Sequence, residues 1–297
     1  MCDFFVTGAS GFIGSAIVKK LQARGVDVLG LARSDASAEK LQQQGVQVMR
    51  GDLEDIASLR SAVEQSDGVI HAGYIHDFSR MDHAAAIDQQ AILAMGEVLA
   101  GSNRPLVVTS GTALVSPGRL AVEQTQPVSG GHPRSDSNIA ALALADKGLR
   151  VSLVRLPPTV HGAGDHGFVP MIINMAKEKG AAVYIGDGSN RWPAVHRDDA
   201  AELFCLAAEH AEAGTILHAI QEEGIAFRQI AETIGTGLSL PVKSLTLEEA
   251  KEWLGWMAFF ASMDSPASSE WTRQTFNWQP TGPGLLQDMR EAGYFSR

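Results

Sequence analysis

Residues Thr7 to Gly14 read Thr-Gly-Ala-Ser-Gly-Phe-Ile-Gly, directly behind the apolar run Phe4-Phe5-Val6. A glycine-rich turn between a strand and a helix is suited to holding a pyrophosphate. Gly8 lets the chain turn sharply at the strand end, Gly11 lets phosphate approach a backbone with no Cβ, and Gly14 lets the helix pack close to the strand. The first helical amides and the helix dipole then face the negative charge, with Ser10, Phe12 and Ile13 on the same turn. A second group of residues able to do chemistry lies further along. Ser110 and Thr112, in Thr109-Ser110-Gly111-Thr112, are hydroxyls that can hydrogen-bond a substrate oxygen or satisfy strand-end backbone groups. His132, in Ser129-Gly130-Gly131-His132-Pro133-Arg134, is titratable near neutrality and able to donate a proton.

These residues need a scaffold, and the apolar pattern supplies one. Strands are expected at 3–7, 26–32, 46–50, 68–72, 106–110 and 151–156. Helices are expected at 11–24, 36–44, 56–65, 82–100 and 137–147. The first helix shows Ile13, Ile17, Val18 and Leu21 on one face and stops at Gly25. Alternation of buried Val/Leu/Ile strands with helices implies an α/β fold, a Rossmann-type doubly wound parallel sheet whose ligands sit beyond the carboxyl ends of the strands. The second half changes character. Helices are expected at 198–213, with Asp199 as its cap, and at 227–235. The aromatic run 253–260 reads either as small-lobe packing or as a pocket wall. The expected domains are a dinucleotide-binding unit, 1–162 plus 192–219, and a smaller mixed substrate lobe, 163–191 plus 220–297.

Composition narrows the class. The 297 residues carry a net charge of −10, and no basic stripe appears, so neither nucleic acid nor an anionic membrane is an expected partner. Cys2 and Cys205 are the only cysteines, both in apolar surroundings, which fits small core residues and a reducing cytoplasm. The first strand starts within three residues of Met1, so no signal peptide is expected, and no apolar stretch reaches transmembrane length. A small molecule is the expected partner.

The spacing Gly8-x-x-Gly11-x-x-Gly14, with Thr7 before it and Phe12-Ile13 inside it, resembles the short-chain dehydrogenase/reductase superfamily, and most nearly its extended branch of nucleotide-sugar epimerases and dehydratases. The resemblance implies further site residues. Asp52 would contact the adenine amino group, with Leu53 against the ring, although Asp52 also reads as a helix cap. His71-Ala72-Gly73 would pass beside the cofactor ribose, and Pro157 would line the nicotinamide. The stretch from Arg191 to Asp199 would border the substrate pocket, bringing Arg191 and His196 to it. Tyr74 and His76, continuing from the cofactor loop, fall within reach of a substrate, and His161 is a further titratable group in the Pro157–Gly162 turn. At the end of the second strand an acid would favour NAD and a base NADP. The chain has Arg33 there and Asp35 late, so NADP is preferred over NAD.

The superfamily motif Tyr-x-x-x-Lys, in which the phenol passes a proton and the lysine lowers its pKa, is absent. The three tyrosines are Tyr74, Tyr184 and Tyr294, and none has lysine four residues on. Arg134 falls near the place of the lysine but cannot act as a base. Three readings follow. The first is an NAD(P)-dependent oxidoreductase acting on a small carbonyl or hydroxyl, using Ser110 or Thr112 and a proton from water, His132 or His76. The others are a non-catalytic NAD(P)-binding sensor and a nucleotide-sugar epimerase/dehydratase-like enzyme. No metal is expected, because His161, Asp165 and His166 match no zinc spacing. The 82–100 helix, with Ile87, Ile92, Met95 and Leu99, offers a route to a homodimer, and core packing explains the same residues.

Overall fold

The computed structural model describes residues 3–77, 80–113, 115–130 and 133–296. The amino-terminal half alternates strictly: β1 (Phe4–Thr7), α1 (Phe12–Ala23), β2 (Val28–Ala32), α2 (Asp35–Gln43), β3 (Gln47–Arg50), α3 (Ile56–Glu64), β4 (Val69–His71), α4 (Met81–Leu99), β5 (Leu106–Gly111), α5 (Pro133–Ala143) and β6 (Val151–Leu156). There follow β7 (Thr159–His161), α6 (Phe168–Lys179), β8 (Ala182–Ile185), β9 (Arg191–His196), α7 (Arg197–His210), β10 (Thr215–His218) and β11 (Glu222–Ala226). The chain ends with α8 (Phe227–Leu238), β12 (Val242–Leu245), α9 (Leu247–Leu254), α10 (Met257–Ala261), α11 (Glu270–Phe276) and α12 (Leu285–Glu291).

Seven strands form one parallel sheet in the order β10-β6-β5-β4-β1-β2-β3. Successive strand residues point to opposite faces, so Val69 packs with α3, α4 and α5 while Ile70 packs with α1 and α7. Both faces are covered, which explains why the strands read as continuous apolar runs. The order reverses between β1 and β4, and that switch point is where a ligand crevice opens. The three-stranded sheet β11-β9-β7 and the pair β12-β8 pack with α6, α8, α9, α10 and α12 around a separate core containing Trp192, Phe227 and Met257.

Several expectations change. Helix α5 begins at Pro133 rather than at residue 137. Proline suits the first helical turn, where its absent N–H has no partner to lose. Asp199 does not cap α7. The cap is His196, whose side chain accepts from the Asp198 amide. Asp199 is buried one turn in, and its carboxylate accepts from the Thr281 and Gly282 amides at 3.1 and 2.8 Å. It therefore clamps the carboxyl-terminal loop to α7. Ile87, Ile92, Met95 and Leu99 are all buried within the chain, so intrachain packing accounts for the four side chains that offered a homodimer seam on α4. Cys205 is fully buried, and burial pushes its thiol up to about 12. Cys2 lies outside the described residues. No helix among the described residues is long and apolar enough to cross a membrane.

Candidate functional site

A cleft of about 820 Å³ runs along the carboxyl ends of β1, β2, β4, β5 and β6. Its nucleotide end is made of backbone. Gly8 has φ +68°, and a Cβ there would stand 2.8 Å from the Ala72 carbonyl oxygen and from Gly73. A Cβ on Gly14 would stand 2.0 Å from the Gly8 carbonyl oxygen. The glycines thus let the β1 turn, the start of α1 and the loop after β4 occupy one small volume. Helix α1 starts with Gly11 as N-cap and no side-chain cap, leaving its first-turn amides available to an anion. Ser10, Phe12 and Ile13 line the same end.

Arg33 and Ser34 line the cleft at the end of β2, both exposed. Asp35, the acid that follows, opens α2, and its carboxylate accepts from Arg50 at 2.7 Å. Asp52 and Leu53 line the cleft beyond β3. Asp52 is not the cap of α3. Its Oδ1 accepts from the Glu54 and Asp55 amides, making a turn one step earlier, and Asp55 caps the helix by accepting from the Ser58 amide.

The loop after β4 rests on a buried chain of hydrogen bonds. The Gly73 amide donates to Thr7 Oγ1 at 3.0 Å, which leaves the Thr7 hydroxyl to donate to His71 Nδ1 at 2.8 Å. His71 Nε2–H then donates to Asp88 on α4 at 3.1 Å. His71 is 1% exposed and does not reach the cleft; it fixes Ala72 and Gly73, which do. The expected ribose contact of this segment is therefore left to its backbone and small residues.

Tyr74 follows, half-buried in the cleft wall, with the Arg134 guanidinium carbon 4.0 Å from its ring centroid. Arg134 Nη2 donates to the Thr109 carbonyl at 3.3 Å, and Ser137 Oγ donates to the Ala85 carbonyl on α4, so α5 is pinned from two sides. Burial raises the Tyr74 pKa, and the Arg134 cation opposes that rise without cancelling it. His76 stands at the cleft mouth, its ring edge-on to Tyr74 at 5.3 Å. Crowding by protein, then the Arg134 and His166 charges, hold its imidazole below the usual range.

Ser110 and Asn138 complete the deep wall. Ser110 is 1% exposed and Asn138 7%, and neither Ser110 Oγ nor Asn138 Oδ1 has a hydrogen-bond partner among the described residues. Buried polar atoms without partners are costly. Two of them on residues that line one cleft are consistent with a ligand that supplies hydroxyl or amide groups. Beyond them the wall is apolar: Val115, Phe168, Met171 and Phe260, with Pro157 at the end of β6. Asp165 holds the loop before α6, accepting from the Gly167 amide and the Tyr294 hydroxyl at 2.7 and 2.8 Å, and burial raises its pKa.

Other expected site residues lie elsewhere. Thr112 is buried against β6, its hydroxyl donating to the Leu156 carbonyl at 3.4 Å, and it does not line the cleft. His161 is fully buried, its Nδ1–H donating to Asp288 at 2.7 Å, and burial holds its pKa low despite that carboxylate. His196 packs edge-on against it at 5.5 Å while capping α7. Arg191 lies outside the cleft, held by both oxygens of Asp264 at 2.9 Å. None of these four residues lines the cleft. His132 lies outside the described residues. Among the described residues, no group of three or more His, Cys, Asp or Glu side chains is placed to hold a metal ion. Asn138, His166 and the wall residues Val115, Phe168 and Met171 were not foreseen, whereas Phe260 belongs to the 253–260 run that read either as packing or as a pocket wall. Asn138 was legible in principle, since it follows Arg134 by four residues, one helical turn.

A doubly wound sheet with a glycine turn at its switch point and an uncapped helix above it defines a dinucleotide-binding α/β protein. Residues 4–220 match the model of the NAD dependent epimerase/dehydratase family, and the chain belongs to that family. It is 49% identical over 292 residues to the uncharacterized protein C2A9.02 of Schizosaccharomyces pombe, covering 98% of this chain and 99% of that one. It is 28% identical to the 4-hydroxy-2-methyl-3-oxo-4-farnesyl-3,4-dihydroquinoline-1-oxide ketoreductase of Stigmatella aurantiaca, over 71% of this chain and 66% of that one. Its fold matches the structure of MoeE5 in complex with UDP-glucose and NAD with a TM-score of 0.78, at 19% identity and over 99% and 98% of the two chains.

Proposed function

We propose that the protein is an NADP-preferring oxidoreductase that reduces an apolar carbonyl compound. One observation carries this reading: a single cleft joins the glycine turn and Arg33 to the partnerless Ser110 and Asn138 and ends on the apolar wall of Val115, Phe168, Met171 and Phe260. The residues fit the cofactor. Side chains on Gly8 and Gly14 would collide with the backbone of the turn that forms its cradle, and Arg33 is the cation at the β2 end while Asp35 is engaged by Arg50. A bound NADP(H) supplies hydride at its nicotinamide. The first turn of α1 would hold the pyrophosphate, Arg33 and Ser34 the 2′-phosphate, and Asp52 and Leu53 the adenine. Asn138 Oδ1 would accept from a ribose hydroxyl. Ser110 Oγ would donate to the substrate oxygen and stabilise charge building there.

A nucleotide sugar is the weaker substrate. Its diphosphate needs free cations, whereas Arg191 is held by Asp264, and Arg197 donates to the Ala163 carbonyl and pairs with Asp198. The ketoreductase relative is named for a carbonyl substrate with a farnesyl tail, which agrees with an apolar wall. The sensor reading draws on one observation, that α5 presents Arg134 and Asn138, neither of which donates a proton at neutral pH. Fluorescence titration with NADPH and NADH, followed by NADPH oxidation with aliphatic and aromatic aldehydes and by product analysis of UDP-glucose incubated with NAD+ or NADP+, separates the three. Oxidation with the aldehydes alone supports the proposal, and tight binding without turnover supports the sensor.

A further inference from the structure

We propose that Tyr74, in the loop after β4, is the proton donor, and that Arg134 supplies the cation that stabilises its phenolate. This assignment rests on the reductase reading above. The observation behind it is a contact between a phenol and a cation. Arg134 stands in the first turn of α5 with Asn138 four residues on, so the described part of this helix offers a cation and an amide but no phenol. The phenol comes from the opposite wall. The Tyr74 ring lies 4.0 Å under the Arg134 guanidinium, so the two are in direct contact across the cleft.

The scaffold holds both partners. Tyr74 is next to Gly73, whose amide ends the buried chain through Thr7 and His71 to Asp88. Arg134 is held by the Thr109 carbonyl, one residue before Ser110 on β5. Tyr74, Ser110 and Asn138 all line the one cleft, from the β4 loop, β5 and α5, with Arg134 joining the Tyr74 ring to the Thr109 carbonyl beside Ser110. The chemistry balances. The carbonyl carbon takes a hydride from the dihydronicotinamide as its oxygen takes the Tyr74 proton; the phenol O–H bond breaks and the alcohol O–H bond forms. Water returns a proton to the phenolate, whose charge faces the Arg134 guanidinium in the interval.

Among the described residues, the groups beside Tyr74 are Arg134 from α5 and His76 from its own loop, while Asp88 on α4, held by His71, acts on it only through space. Of these, Arg134 is the cation over the ring.

The test uses the full-length protein, the Tyr74→Phe and Arg134→Met variants, and Tyr184→Phe as a control outside the cleft. Turnover of a medium-chain aliphatic aldehyde is read with NADPH affinity, and phenolate absorbance is titrated without cofactor. Tyr74→Phe is expected to lower kcat about 100-fold or more, with NADPH affinity kept, and to remove one phenol from the titration. Arg134→Met is expected to lower kcat and to move that same phenol's titration to higher pH. Tyr184→Phe is expected to match the wild type. Tyr74→Phe within about threefold of wild-type kcat, well short of a general acid's usual contribution, overturns the assignment. So does an unmoved titration in Arg134→Met, which needs no turnover. A wild-type protein that binds NADPH but reduces no carbonyl defeats the reductase reading instead.

Discussion

The two ends of the cleft are built from different materials. The nucleotide end is backbone: a left-handed Gly8, a Gly14 pressed on the turn, and the bare amides of α1. The far end is side chains: Ser110 from β5, Tyr74 from the β4 loop, Arg134 and Asn138 from α5, and an apolar wall from α6 and α10. Backbone geometry fails when almost any side chain is added, so that end is legible as a motif. Side-chain chemistry can be redistributed among strands that converge on one crevice, so polar groups can gather at the far end without a local sequence pattern. Fold membership therefore reports on the first end more directly than on the second.

The sharpest break in that comparison is expected at Gly14. Gly14→Ala places a Cβ 2.0 Å from the Gly8 carbonyl oxygen, which no flexible side chain can relieve. The expected loss is about 3 kcal/mol of stability in urea unfolding, together with loss of NADPH binding by fluorescence. Arg33→Ala comes next. Removing a cation from a phosphate costs about 1.5–3 kcal/mol, so NADPH affinity should fall by one to two powers of ten while NADH affinity holds. Equal loss for both cofactors would remove Arg33 from the 2′-phosphate. Ser110→Ala tests the far end. Its hydroxyl has no protein partner to abandon, so stability should hold while kcat/KM falls about tenfold, the worth of one hydrogen bond.

The smallest effect belongs to buried histidines away from the cleft. His218 is held neutral at about 3 by burial and then by Arg155, against 6.5 when unperturbed; its Nδ1–H donates to the Ser268 carbonyl. His161 is shifted in the same direction, mainly by burial. A base whose folded pKa is depressed leaves stability unaffected above its unfolded pKa. Below that value the unfolded chain takes the proton first, so stability falls as pH drops from 6.5 toward the folded value. For His218 the loss is about 1 kcal/mol by pH 6, readable as a lower urea midpoint. His218→Gln should flatten the slope.

The strand-helix alternation was legible because each parallel strand is buried on both faces and each helix buries one. β1 to β6 fall within two residues of expectation. The glycine turn was legible for the same steric reason that makes Gly14 intolerant. What the pattern could not show is direction. His71, His161 and His196 carry the right chemistry, yet their rings turn to Asp88, Asp288 and one another rather than to the cleft. Arg191 is likewise an attractive anion ligand in sequence, but Asp264, 73 residues away, claims it. Asn138 carries no signature of its own, because its role comes from the turn of a helix, and the aromatic run 253–260 could not show that of its residues Phe260 lines the cleft.

The central claim is that the cleft binds NADPH and passes hydride to an apolar carbonyl. Its most direct test is NADPH oxidation by the purified protein across aliphatic and aromatic aldehydes of increasing length, with NADH in parallel. Turnover with NADPH, a kcat/KM that rises with apolar bulk, and weaker turnover with NADH are expected. NADPH binding with no oxidation by any aldehyde would contradict the reductase reading.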